Sequence, residues 1–398
     1  MRTRMMVLVL AVLAAVTYVA PQAMAAIDPG DYRIWIVDDS YRGDGRTAIY
    51  RSTNFPASGT TDLSAGTLGP FIARAPSQGN ADNPPNPAFP PDAGGLALVG
   101  NYVYITSTQN SGDPGTRTMR RYDALHDNGA TGETIIQSGD NSNQAFSFRG
   151  IAGYNGKLYV ADKALNDPND PTGEIRRYNL DGSSDGLFYD AGGGDGDRYT
   201  GPFGVLSKNV GEILWHNDRL YVQNQNVGAS PQYKISVFNS SGAHLGYLGN
   251  GVTNEPGHSL GKLAIDHATG TLYALDVVET PATSTRVVSW SLGTANDLSD
   301  YTFNDTFGDA IGTTTAAVSF AKDIEVDPRN GALILLTDTG GPASLLQFSG
   351  GTGNFSHVVS SWSTAGDSPA YQLLIVPEPA TLALLGLGGL MMVRRRRA

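Results

Sequence analysis

A strand-like pentad recurs six times in this chain of 398 residues: IWIVD (34–38), VYITS (103–107), LYVAD (158–162), LYVQN (220–224), LYALD (272–276) and ILLTD (334–338). Each is a short apolar run around a bulky residue: Trp35, Tyr104, Tyr159, Tyr221, Tyr273 or Leu335. Those centres lie 69, 55, 62, 52 and 62 residues apart. A second strand follows each one and ends in an aromatic: Tyr50, Tyr122, Tyr178, Phe238, Trp290 or Phe348, which lie 15, 18, 19, 17, 17 and 13 residues on. Two fixed points per unit define an internal repeat. The strands are apolar on both faces, as ISVF (235–238) shows, so they must be covered on both sides. One unit cannot cover itself, but neighbours stacked around an axis can.

Most pentads follow a turn dipeptide. Asn155-Gly156 has the type I′ hairpin composition, and Asn217-Asp218, Thr269-Gly270 and Asn330-Gly331 hold the same place in their units. Upstream lie further β-like segments at 96–99, 151–152, 213–214, 263–265 and 324–326. Each unit therefore offers at least three antiparallel strands. The expected fold is all-β, a six-bladed β-propeller. The repeat exceeds the roughly 40–50 residues of common propeller units. Long loops absorb the excess, at 80–95, 166–172 and 190–197. The first unit lacks an upstream strand, while 371–376 is a spare β-like segment. That segment is expected to complete the first blade, tie the ends together and hide an edge.

The LYVAD-type strand, its loop and a second strand such as IRRYNLDG (175–182) resemble the NHL, YVTN and SMP-30 group of propellers. The likeness spans about residues 30–350. Some members of that group are lactonases, lyases or hydrolases, and others only bind partners. The SMP-30-like lactonases hold a divalent cation with Glu, Asn and Asp at the channel mouth. No predicted inner strand here offers an unmistakable acidic residue, so no ligand is carried over.

Both ends read as address labels. Arg2 and Arg4 precede an apolar run from Met5 to Ala20, and Ala23-Met24-Ala25 is a small-x-small cleavage pattern. Residues 1–25 are the expected signal peptide, cut after Ala25. Residues 26–376 form the propeller domain, and 377–398 form a terminal unit. That unit starts Pro377-Glu378-Pro379, continues without charge from Ala380 to Val393, and ends Arg394-Arg395-Arg396-Arg397. As a helix the apolar run rises roughly 21 Å, short of the ~30 Å hydrocarbon core. The arginines would hold the cytoplasmic side. The tail resembles the PEP-CTERM sorting signal of Gram-negative bacteria. The resemblance implies recognition of Pro377, Glu378 and Pro379 by an exosortase, a membrane protease-transpeptidase. It also implies transient anchoring in the inner membrane, a cut near the motif and delivery to the cell surface, often alongside exopolysaccharide.

Within 26–376 there are 21 basic and 37 acidic side chains, a net charge of −16. Such a surface repels phosphate backbones and argues against nucleic-acid binding. There is no cysteine, hence no disulfide, thiolate ligand or cysteine nucleophile.

Isolated chemistry-bearing residues reduce mostly to scaffold. Asp38, Asp162, Asp276 and Asp338 share a repeat position, where aspartate fixes a turn. Gly182-Ser183-Ser184-Asp185-Gly186 has the nucleophile-elbow spelling but lies in a loop, not between a strand and a helix. Calcium is the one cofactor in view, at Asp190, Asp195 and Asp197 or at Asp167, Asn169, Asp170 and Glu174; neither loop has EF-hand spacing. His126, His216, His244, His258, His267 and His357 include no i, i+4 pair and no HExxH. Arg42-Gly43-Asp44 is a chance tripeptide. Trp35, Trp215 and Trp290 fall in predicted strands, and Trp362 is the most open candidate for stacking on a sugar. No catalytic residue is assigned. The sequence favours an envelope or matrix protein that binds polysaccharide or a surface protein. The alternative is a calcium-dependent hydrolase or lactonase.

Overall fold

A computed structural model describes residues 32–38, 48–52, 68–72, 93–107, 118–124, 133–137, 146–164, 173–189, 209–225, 233–248, 258–278, 284–304, 321–337, 343–349, 355–362 and 370–377. The expected signal peptide and C-terminal apolar helix lie outside these residues. Every regular element described is a strand.

The chain opens with β1 (Tyr32–Asp38), β2 (Ala48–Ser52) and β3 (Leu68–Ile72). Four-strand sets follow, the first being β4 (Ala93–Val99), β5 (Tyr102–Ser107), β6 (Thr118–Asp123) and β7 (Glu133–Gln137). Next come β8 (Phe146–Tyr154), β9 (Lys157–Ala164), β10 (Gly173–Asn179) and β11 (Ser184–Tyr189), then β12 (Asn209–His216), β13 (Arg219–Gln225), β14 (Tyr233–Asn239) and β15 (His244–Leu248). The last two sets are β16 (His258–Asp266), β17 (Thr271–Val278), β18 (Ser284–Ser291) and β19 (Thr302–Asn304), and β20 (Ala321–Val326), β21 (Leu333–Thr337), β22 (Ala343–Phe348) and β23 (Phe355–Trp362). A single strand, β24 (Ala370–Pro377), remains. The set of β1 to β3 becomes four-stranded by taking β24 as its inner strand, in the order β24-β1-β2-β3. Six four-stranded sheets result. Their inner strands touch in the cycle β4, β8, β12, β16, β20, β24 and back to β4. The fold is a β-propeller.

The repeated aromatics explain the ring. In five sheets the bulky residue of the second strand packs against the following sheet, and in the five sheets whose third-strand aromatic is described that aromatic packs against the preceding one. Tyr159 joins Ile213, Trp215 and Leu220 of the next sheet, while Tyr178 joins Ala97, Tyr104 and Met119 of the sheet before. Trp35, Tyr104, Tyr221 and Tyr273 repeat the forward contact; Tyr122, Phe238, Trp290 and Phe348 repeat the backward one. All are buried. The hairpins follow their dipeptides. Asn155 and Gly156 have φ of 49° and 70°, and Asn217 and Asp218 have 46° and 61°, the paired left-handed conformations of a type I′ turn.

The expected closure is present. β24 pairs antiparallel with β1, Trp35 opposite Leu374 and Ile36 opposite Leu373. One expected position shifts. Tyr159 and Tyr273 sit opposite Ala152 and Ala264, whereas Leu335 sits opposite Ile324, one residue out of step. The equivalent centre is Ile334, opposite Glu325. A one-residue slip changes face, and Leu335 accordingly packs backward with Leu346 and Phe348. LILL (333–336) is apolar throughout and Thr337 beyond it is buried as well, so alternation could not reveal the register. Asp162 and Asp276 also depart from expectation. They lie inside β9 and β17, paired on both sides, and not where strand gives way to loop. Asp276 is fully buried.

Close approach of the inner strands depends on glycine. A Cβ at Gly150 would stand 2.4 Å from the Gly211 carbonyl oxygen and 2.7 Å from the Ile213 nitrogen, both rigid backbone. Gly150→Ala is expected to destabilise the body by about 1–3 kcal/mol through overpacking. Tyr221→Ala is expected to cost about 3–5 kcal/mol, by analogy with other buried aromatics, and Tyr102→Ala, at an exposed ring, much less. Denaturant melts of the three variants check the ranking.

Candidate functional site

Each inner strand carries a bulge near its start. The partner register skips at 94, 149–150, 211–212, 261–262, 322 and 371. An apolar residue follows at once (Ile151, Ile213, Leu263) or after one paired residue (Leu96, Ile324, Leu373). In β16 and β24 the freed backbone N–H meets a carboxylate from the preceding sheet. Leu263 N–H donates to Glu212 Oε2 at 3.1 Å, and Leu373 N–H donates to Asp323 Oδ2 at 2.6 Å. Second strands add clamps. Thr106 Oγ1 donates to the Arg149 carbonyl at 3.2 Å, and Gln223 Nε2 donates to the Leu260 carbonyl at 2.5 Å.

The bulges thus form a polar belt holding Arg149, Glu212, Lys262, Lys322, Asp323 and Gln372. Lys262 Nζ lies 3.7 Å from Glu212 Oε2. Burial pushes the Asp323 carboxyl up to about 7; Lys262 opposes this and Glu212 reinforces it. Glu325 shares the Asp323 face two residues on. Its carboxyl is also raised, by burial and then by Asp323 and Glu212. Inner-strand acidic residues therefore exist, contrary to the sequence reading. β12 and β20 begin four and three residues before the apolar segments that marked them.

As a cation site the belt fits poorly. Lys262 stands beside Glu212, and two carboxylates already accept backbone N–H groups. No cluster of three metal-ligating side chains occurs among the described residues. Of the two candidate calcium loops, only Glu174 is described; it pairs with Arg176 at 2.7 Å.

Other candidates fall as follows. Residues 179–183 form the β10–β11 turn, with Asn179 N–H donating to the Ser183 carbonyl at 2.9 Å, so the elbow spelling is a turn and the start of β11. Trp215 stacks on Tyr154 at 4.1 Å inside the core. Trp362 ends β23 opposite Ala343, within a strand after all. His216 and His267, 51 residues apart, meet with Nδ1 atoms 3.0 Å apart, a pair invisible to sequence spacing. Burial and the His267 ring push His216 down to about 4, and burial lowers His267. The Asn217 amide donates to His216 Nε2, which assigns the His216 proton to Nδ1, where it donates to His267. His244, in β15, is held below its usual value by burial, its ring against Phe238 and Tyr247. His258 and His357 lie in β16 and β23. His126, Arg42-Gly43-Asp44, Asp190, Asp195, Asp197, Asp167, Asn169, Asp170 and Asp338 lie outside the described residues, as do Ala23, Ala25, Glu378, Pro379 and Arg394 to Arg397.

Pro377 closes β24 opposite Tyr32, and Val376 beside it is buried. Residues 376–397 match a protein-sorting motif. The chain ends in a PEP-CTERM motif. It indicates export and membrane-associated sorting, and such motifs are recognised by exosortase. The PEP-CTERM match begins inside the folded body, at Val376, a buried residue of the closing strand. No curated protein matches the sequence. Among solved structures, a chain of a nidogen/laminin complex is similar at 14% identity, TM-score 0.51, over 86% of this chain and 98% of that one. A hypothetical selenium-binding protein from Sulfolobus tokodaii is similar at 11%, TM-score 0.51, over 86% and 77%. A periplasmic gluconolactonase from Pseudomonas aeruginosa gives 11%, TM-score 0.47, over 87% and 99%. At these identities the likeness concerns the fold alone.

The raised Asp323 carboxyl has a pH consequence. A folded value near 7 against an unfolded value of about 3.9 means that the native state holds the extra proton. The contribution is full below about pH 3.9 and is lost as pH rises through about 7. Asp323→Asn removes this loss. Its stability relative to wild type is expected to improve between pH 5 and 7, by at most about 1.4 kcal/mol per pH unit, the limit for one proton. Denaturant melts across that range check it; parallel profiles would contradict it.

Proposed function

We propose that this protein is a surface-delivered binding propeller. A signal peptide ending at Ala23-Met24-Ala25 starts export. Pro377, Glu378 and Pro379 are recognised by an exosortase-type membrane protease while Arg394 to Arg397 hold the inner-membrane face. The released body then joins the cell surface or its polysaccharide matrix and binds envelope glycan or a surface protein. The observation that carries this reading is the fusion of the sorting motif to the ring-closing strand, which makes the propeller itself the cargo. The polar belt, with charges of both signs on the inner strands, supports a binding role.

No observation on the described residues favours the calcium-dependent hydrolase or lactonase. The belt mixes lysine with carboxylates already engaged by backbone donors.

Glu378→Ala with Pro379→Ala, in a host carrying an exosortase, is expected to leave uncut full-length chain in the inner-membrane fraction; wild type is expected in the surface fraction. Purified 26–376 is expected to bind envelope polysaccharide or surface-protein extract, and Lys262→Ala with Lys322→Ala to weaken that binding severalfold. Unchanged sorting of the motif variant overturns the delivery route, and absence of binding overturns the cargo role.

A further inference from the structure

The two mouths of the ring are unlike. All inner strands run in one direction, from the bulge to the first hairpin. The inner hairpins are tight: 100–101, 155–156, 217–218, 267–270 and 327–332. Every connection from a second to a third strand, and every crossing between sheets, begins and ends at the other mouth. Those segments run from five residues (279–283) to twenty (73–92).

β24 runs the same way as the other inner strands. Its bulge is at 371, and Leu373 meets Asp323 as Leu263 meets Glu212. Its last residue, Pro377, therefore lies at the mouth of the tight hairpins. Only Glu378 and Pro379 separate Pro377 from the apolar run that starts at Ala380. Three peptide steps span at most roughly 10 Å.

Building on the proposed anchoring of the tail, we infer that the tight-hairpin mouth is held against the membrane for as long as the tail is intact. The long-loop mouth and the bulge belt then face away from the lipid. No other orientation is compatible with so short a tether, because a propeller mouth is far wider than its reach. The third-to-fourth-strand connections open on the same face, from four residues (180–183) to fifteen (53–67), so the tether and not loop length sets the orientation.

The same face carries Asp181, Asp218, Asp297 and Asp300 in its turns. An acidic face is repelled by an anionic leaflet. The tether alone therefore holds it, and cutting the tail frees the body completely. The bound state presents the belt outward before release, so ligand binding at the long-loop mouth does not have to wait for cleavage.

The chain has no cysteine, so single-cysteine variants report without background. Asn101→Cys and Ala268→Cys mark the tight mouth, and Arg149→Cys and Lys322→Cys mark the belt. Full-length chain (26–398) carrying each variant is labelled with a small fluorophore and reconstituted into vesicles of phosphatidylcholine and phosphatidylglycerol. Some headgroups carry a nitroxide quencher. Quenching at 101 and 268 is expected to exceed that at 149 and 322 severalfold, and to vanish when the chain ends at Pro377. Equal or reversed quenching on vesicle-bound protein overturns the orientation. Failure of the full chain to float with the vesicles overturns the anchoring reading beneath it. Two sites per mouth guard against one variant that misfolds, which far-ultraviolet circular dichroism detects.

Discussion

Two-sided burial of each sheet organises this molecule. A strand apolar on both faces gains nothing from a single partner layer, so every sheet needs two neighbours. The chain meets that need with two large side chains per unit pointing opposite ways. Tyr159 reaches forward to Trp215, their rings 4.9 Å apart, and Phe348 reaches backward to the sheet of Tyr273. A row built this way has unsatisfied ends. Closing into a ring removes both, and β24 beside β1 is the closure.

Much of this was legible because aromatic spacing and turn dipeptides are local signals. The pentads, the type I′ turns and the spare terminal strand each follow from a few adjacent residues. The misplacement of Leu335 has the converse cause. LILL offers no polar alternation to set a face, so its register is fixed by pairing with β20. The belt was missed for a related reason. A bulge interrupts alternation, so Glu212, Lys262 and Asp323 look like loop residues preceding a strand. Their signal is a polar residue directly before Ile or Leu at the head of four of the inner strands, with glycine in the other two, visible only once the six heads are superposed. The His216–His267 contact joins neighbouring blades and has no sequence spacing to announce it.

The belt and the tail are connected through one strand. β24 receives the Asp323 carboxylate at Leu373 near its start and gives rise to the sorting motif at its end. Completion of the fold and presentation of the motif thus depend on the same eight residues. A body that failed to close would leave both an open β1 edge and a motif without a folded cargo.

The most direct test of ring closure is amide hydrogen exchange in β1. Residues 32–38 are expected to exchange as slowly as 158–162 in the intact body, and to become fast when the chain stops at 369. Protection of β1 that survives the loss of β24 would contradict the closed ring.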